Sequence, residues 1–261
     1  MKISHECPNS IFDKVQNLID YDYALVHLYL ENEEYRNHFL EAKAKGREII
    51  LDNSIFELGT AFDPFKYAEV IKELKPTYYI IPDVLENAKE TQLNYVKFID
   101  TFKDLPGKRI GVLQGKTYQE LVDCYKHFLR FRVDKIGISF DYSYYEKCFP
   151  LNMKLEAWMK GRQMFIKQLQ EESFFRPEIP IHLLGCSLPQ EFKYYQTMEF
   201  IDSVDTSNPV VHGLKGVIYE DFGLDKKESQ KLFTLINSEV DSEQIENIEY
   251  NIQLFKKFCN G

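Results

Sequence analysis

Phe200-Ile201-Asp202-Ser203-Val204-Asp205-Thr206-Ser207-Asn208-Pro209 interleaves apolar residues with acids, then breaks into small polar residues and a proline. This reads as a short buried strand whose C-terminal end carries carboxylates into a loop. A carboxylate at the mouth of a strand can act as a nucleophile. Ile49-Ile50-Leu51-Asp52-Asn53-Ser54 has the same grammar of apolar strand, acid and small polar residues. Asp52 and Asp205 are separated by more than half of the 261 residues. Only a fold that gathers strand ends from the whole chain brings them together.

Outward from these two stretches, strands and helices alternate. Expected strands are Ala24–Leu30, Glu48–Leu51, Tyr78–Ile81, Arg109–Leu113, Lys135–Ile138, Ile181–Leu184 and Phe200–Val204, with Val217–Tyr219 as a last short one. Between them fall helices over Glu31–Lys45, Asp63–Leu74, Leu85–Phe102, Thr117–Arg130, Leu151–Glu172 and Ser187–Met198. Asp63-Pro64 supplies an N-cap and a first-turn proline. Thr117-x-x-Glu120 and Ser187-x-x-Gln190 have capping-box form. The tail from Asp225 to Cys259 reads as two helices. Alternating units of this number and length predict a parallel sheet closed into a (β/α)8 TIM barrel, one domain over 1–261 with a helical extension at about 225–261. The rival, an open doubly wound sheet, would carry a Gly-rich phosphate turn after its first strand. The turn here is Glu31-Asn32-Glu33-Glu34.

Composition narrows the class. Hydrophobic residues make up 44% and charged residues 28%, enough for a sizeable core. No apolar run reaches the roughly 20 residues of a membrane span, and Met1-Lys2-Ile3-Ser4-His5-Glu6 lacks a signal-peptide core, so a cytoplasmic protein is expected. The five cysteines form no C-x-x-C or C-x-C pair, which gives no zinc site and suits reduced thiols. A net charge of −9 argues against a general nucleic-acid coat and leaves room for a local basic groove.

Asp52, Asp83, Gln114-Gly115, Ser139, Gly185 and Asp205 all fall just past expected strand ends. In a barrel that rim holds the active site. Each residue also has a plainer reading. Asp52 can cap a turn through Asn53-Ser54, and Asp83 can N-cap the next helix. Gly185 can be a tight turn, His182 a satisfied core histidine, and His212 and Lys215 solvated surface. Trp158 and Tyr144-Tyr145 read as packing. The coincidence of the strand ends carries the functional reading.

The ordered series resembles the queuine/archaeosine tRNA-guanine transglycosylases, and more closely their shorter phage relatives that put 7-deazaguanines into DNA. Leu51-Asp52-Asn53-Ser54 looks like the family's Asp-Ser-Gly-Gly segment, and Pro82-Asp83 like the segment whose Asp grips the purine. Gly111-Val112-Leu113-Gln114-Gly115 matches Gly-Ile-Val-Gln-Gly, and Ile136-Gly137-Ile138-Ser139 resembles Ile-Gly-Gly-Leu. Leu184-Gly185-Cys186-Ser187-Leu188-Pro189 looks like Met-Gly-Val-Gly-Thr-Pro, and Phe200 to Asp205 like Gly-Ile-Asp-Met-Phe-Asp. The similarity spans roughly positions 22 to 220. The family's C-x-C-x-x-C zinc motif with a later His has no counterpart, which with the short chain favours the DNA-acting branch; the basic Arg after its nucleophile segment is also missing, which implies different backbone contacts.

The resemblance implies base exchange without backbone cleavage and without a metal or redox cofactor. Asp205 would be the nucleophile, with Asp202 as the alternative under a shifted register, and Asp52 the acid/base. Asn53, Phe56, Asp83, Gln114, Gly115, Gly137, Ser139 and Gly185 would hold the base, with Phe56 stacking on it. Lys116, Arg162 and Lys215 would meet phosphates. Implied partners are guanine-containing DNA and a free 7-deazaguanine such as preQ0. Oligomeric state stays open, a homodimer included. Rival functions are a tRNA transglycosylase, a non-catalytic nucleic-acid-binding barrel subunit, and a TIM-barrel hydrolase of nucleosides or sugars.

Overall fold

The computed structural model describes residues 1–149, 153–228 and 230–261. The chain forms a (β/α)8 TIM barrel. Its strands are β1 Lys2–Ser4, β2 Asp22–Leu25, β3 Ile49–Asp52, β4 Tyr78–Ile80, β5 Lys108–Val112, β6 Lys135–Ser139, β7 Ile181–Leu184 and β8 Ile201–Asp205. All neighbouring pairs are parallel, in the order β1-β8-β7-β6-β5-β4-β3-β2. β1 and β2 stand at the two ends of that order. Asp20 bridges the seam, donating its N–H to Ile3 O at 2.9 Å and accepting the Ile3 N–H on its carboxylate at 2.8 Å.

Four expected elements differ, the last of them the helix expected from Ser187, which is a 3-10 helix. The eighth strand is Lys2–Ser4 and not Val217–Tyr219, which is irregular. Tyr219 is instead held by Asn251, which accepts its N–H at 2.7 Å, and by the side chain of Asn208. Ala24–Leu30 is strand only to Leu25, and Val26–Glu31 is helical. A short, mostly apolar run carries no period that separates a strand from a buried helix. Among the described residues the tail holds the long helix Ser242–Asn260 and, before it, a 3-10 turn at Leu232–Leu235 in place of a second helix.

Helix starts follow local chemistry. Asp63 accepts from the N–H groups of Phe65 and Lys66, with Pro64 in the first turn. Thr117 accepts from Glu120 N–H, but the Glu120 carboxylate takes the N–H of Lys116. Ser187-x-x-Gln190 caps nothing. A 3-10 helix runs over Pro189–Tyr195, and Gln190 instead binds the backbone of Leu224 through both its amide atoms. The helix Lys154–Glu171 agrees with expectation where described; its expected first positions, 151 and 152, lie outside the described residues. The terminal helix buries Ile248, Ile252, Phe255 and Phe258 in the same core as the strands. Among the described residues no helix is long and apolar enough to cross a membrane.

Candidate active site

Parallel strands deliver all their C-terminal ends to one rim, and a cavity of about 590 Å³ opens there. Asp205 closes β8 and pairs across to Ser4 of β1 and Leu184 of β7. Its Oδ1 is 3.0 Å from Nε2 of His182, which is buried within β7. The His182 ring stacks on Tyr23 of β2, with centroids 5.9 Å apart. Tyr23 in turn donates its phenol to Asp52 Oδ2 at 2.8 Å. The other oxygen of Asp52 accepts the Ser54 N–H at 2.5 Å. A carboxylate two residues ahead of an N–H makes an Asx turn. Ser54 takes a left-handed conformation at φ 61, unusual without glycine, and its hydroxyl lies 2.7 Å from His27 Nδ1.

Asp52 and Asp205 therefore meet in one cavity, linked through Tyr23 and His182. Two further acids join them, Glu6 from the loop after β1 and Glu57 from the short helix Ile55–Leu58. Burial, then the charge of Glu57, hold the Asp52 carboxyl well above the usual range; the Tyr23 and Ser54 bonds pull the other way. Glu6 is likewise raised, by burial first and then by Asp205, Glu57 and Asp52. Burial lifts Glu57 to about 7, with Asp205 adding and Lys231 opposing. Burial and mutual repulsion thus push all three carboxyls in the same direction, towards the protonated form.

A second group lies beside them. Asp83, in the loop after β4, accepts Asn53 Nδ2 at 2.8 Å on one oxygen and Gln114 Nε2 at 2.6 Å on the other. Gln114 Oε1 accepts the Glu86 N–H at 2.8 Å. These bonds fix the amide orientations and lower a carboxyl that burial raises. Each Asp83 oxygen keeps a lone pair, and Asp83 and Gln114 both line the cavity, so the pair can receive two adjacent N–H donors. Phe56, Phe140, Trp158 and Phe233 form an aromatic wall; the Phe140 and Trp158 rings meet edge-on at 5.4 Å. Gly185, at φ +67, packs against Phe140 so closely that a Cβ would strike the ring.

Residues 227, 228 and 230–233 line the rim of the cavity. Lys227 donates to Cys186 O at 2.5 Å and stands 4.1 Å from the Phe140 ring centroid. Lys231 donates to the carbonyls of Phe56 and Glu57 at 3.2 and 3.1 Å. With Lys154, these side chains put cations at the cavity wall that also holds the acids.

The predicted site residues divide clearly. Asp52, Asp205, Phe56, Asp83, Gln114, Ser139 and Gly185 line the cavity, and Asn53 supports it through Asp83. Asp202 does not, because it lies near the opposite end of β8 and pairs with Lys135 at 2.6 Å. Gly137 is paired inside β6, and the space a Cβ would need there is filled by Val112 and Leu184. Gly115 packs against the start of the next helix at Glu120 and Leu121. Arg162 meets no solvent. It pairs with Glu191 at 2.6 Å and donates to the carbonyls of Ile138, Leu184 and Gly185, tying β6 to β7. Lys116 and Lys215 are exposed and lie outside the cavity lining. Sequence reasoning missed Glu6, Tyr23 and Glu57. Glu6 follows a strand end as Asp52 does, and recognition of β1 would have pointed to it.

No protein-family model and no curated protein sequence matches this chain. Among the described residues no three His, Cys, Asp or Glu side chains are grouped as a metal site.

Proposed function

We propose that this barrel exchanges guanine in DNA for a 7-deazaguanine through a covalent aspartyl-glycosyl intermediate. The observation that carries the reading is the pairing, in one cavity, of Asp205 with Asp52, whose carboxyl burial and Glu57 push upward, beside the Asp83–Gln114 receptor for adjacent N–H groups. Guanine and 7-deazaguanines present such an N–H pair. In the first half, Asp205 attacks C1′, the C1′–N9 bond breaks, and its electron pair leaves with guanine, which takes the Asp52 proton. In the second half, Asp52 accepts a proton from the incoming base. That base attacks C1′, and the ester electron pair returns to Asp205. Phe56 offers a face for stacking. A duplex target must be flipped out, at about a few kcal/mol.

The segment bound across the rim favours a second reading, a hydrolase of free nucleosides. Radiolabelled guanine separates the two. Label should enter DNA, and preQ0 should then displace it. Label confined to tRNA moves the activity to the tRNA branch, and nucleoside cleavage without exchange supports the hydrolase.

A further inference from the structure

We infer that His182 positions Asp205 by presenting an Nε2 proton to one carboxylate oxygen, with its tautomer set by Ser203 and Lys135 beneath it. The role of Asp205 as nucleophile rests on the reading above; the tautomer does not. Lys135, the first residue of β6, is buried and donates to Asp202 at 2.6 Å and to Ser203 Oγ at 3.3 Å. An ammonium has no acceptor, so Ser203 Oγ must accept there. Its own proton can go to His182 Nδ1 at 3.0 Å or to the Asp202 carboxylate, which Lys135 already engages. An imidazole that accepts at Nδ1 carries its single hydrogen on Nε2. The opposite tautomer would set an Nε2 lone pair against Asp205 Oδ1 at 3.0 Å.

In this structure Nε2 and Oδ1 are buried and lack a well-directed hydrogen bond despite their separation, so a small rotation completes it. Tyr23, stacked on the imidazole, limits how far the ring can tilt. A donor on Oδ1 stabilises the anion Asp205 must be to attack. It leaves the second oxygen free for C1′ and helps the carboxylate depart in the second half.

Nitrogen NMR of isotopically labelled histidine tests this in the full-length protein, with His182→Asn assigning the signal. The expected result is a neutral ring protonated at Nε2, with Ser203→Ala mixing the tautomers. A ring protonated at Nδ1, or doubly protonated, overturns the inference. In single-turnover exchange of labelled guanine into DNA, His182→Asn should slow formation of the covalent intermediate about 10- to 100-fold, the range for groups that orient a reacting ligand. His182→Gln, whose amide nitrogen reaches the Nε2 position, should recover most of it, with KM for guanine unchanged in both. Equal losses in the two variants would mean that His182 only fills space. Failure of the wild type to exchange guanine would sink the base-exchange reading, while the ring spectrum still decides the tautomer.

Discussion

Asp202 and Asp205 share one strand and serve opposite ends of the barrel. Asp202 neutralises the buried ammonium of Lys135 at 2.6 Å, and Asp205 faces the cavity 3.0 Å from His182. The two acids therefore fail differently when neutralised. Asp205→Asn should abolish base exchange and leave the fold intact. Asp202→Asn should leave exchange in the folded fraction near normal and cost roughly 2–4 kcal/mol in denaturant unfolding, since it strands a buried cation. The reverse outcome would transfer the nucleophile to Asp202.

The acid cluster sets the pH response of stability. Glu6, Asp52 and Glu57 have folded values above their unfolded ones, so the native state binds more protons, and stability falls as pH rises through each window. For Glu57 that window runs from 4.5 to about 7. His5, lowered from 6.5 to about 4, acts in the opposite sense, and its window ends at 6.5. Above that point the acids act unopposed by His5. The thermal midpoint should drop between pH 6.5 and about pH 7, the part of the Glu57 window that His5 does not oppose. A rise would contradict the proton-retaining cluster.

Exchange should follow the acid form of Asp52 and decline on the alkaline side. The Glu57 charge helps hold Asp52 up, so Glu57→Gln should move that alkaline limb to lower pH. A pH–rate profile of kcat/KM reads the direction, and a shift to higher pH would refute the coupling.

Trp158 is the only tryptophan and stands in the cavity wall against Phe140. Titration with preQ0 or guanine should quench or shift its emission in a saturable manner, and Asp83→Asn should weaken that response by roughly 10²-fold or more, because a base-edge acceptor is lost. A flat titration, with binding shown by calorimetry, would place the base elsewhere.

Arg162 is a structural cation. Arg162→Met leaves Glu191 charged and fully buried, which should cost about 3–5 kcal/mol. Adding Glu191→Leu should recover part of that, short of the three carbonyl bonds. Lys116→Ala and Lys215→Ala should change stability by no more than about 0.5 kcal/mol.

The barrel was legible because six strands end in a polar residue or glycine at one rim, a regularity that survives small errors in strand limits. Asp52, Asp83, Gln114 and Asp205 were found that way. What escaped notice depends on long-range context. Three residues at the N-terminus carry too little pattern to announce a strand, and the loss of β1 hid Glu6. Tyr23 sits mid-strand, where an aromatic reads as core. Asp202 obeyed the pattern of an active-site acid until Lys135, far away in sequence, claimed it. Arg162 looked like a surface cation because nothing nearby in sequence foretells Glu191.

The pairing of β1 with β8 has a consequence for biosynthesis. β1 finds its β8 partner only after residue 205 has emerged from the ribosome. Until then the nascent chain exposes unpaired edges, a state open to wrong association. Deleting Lys2–Ser4 would leave a permanently gapped sheet beside β8.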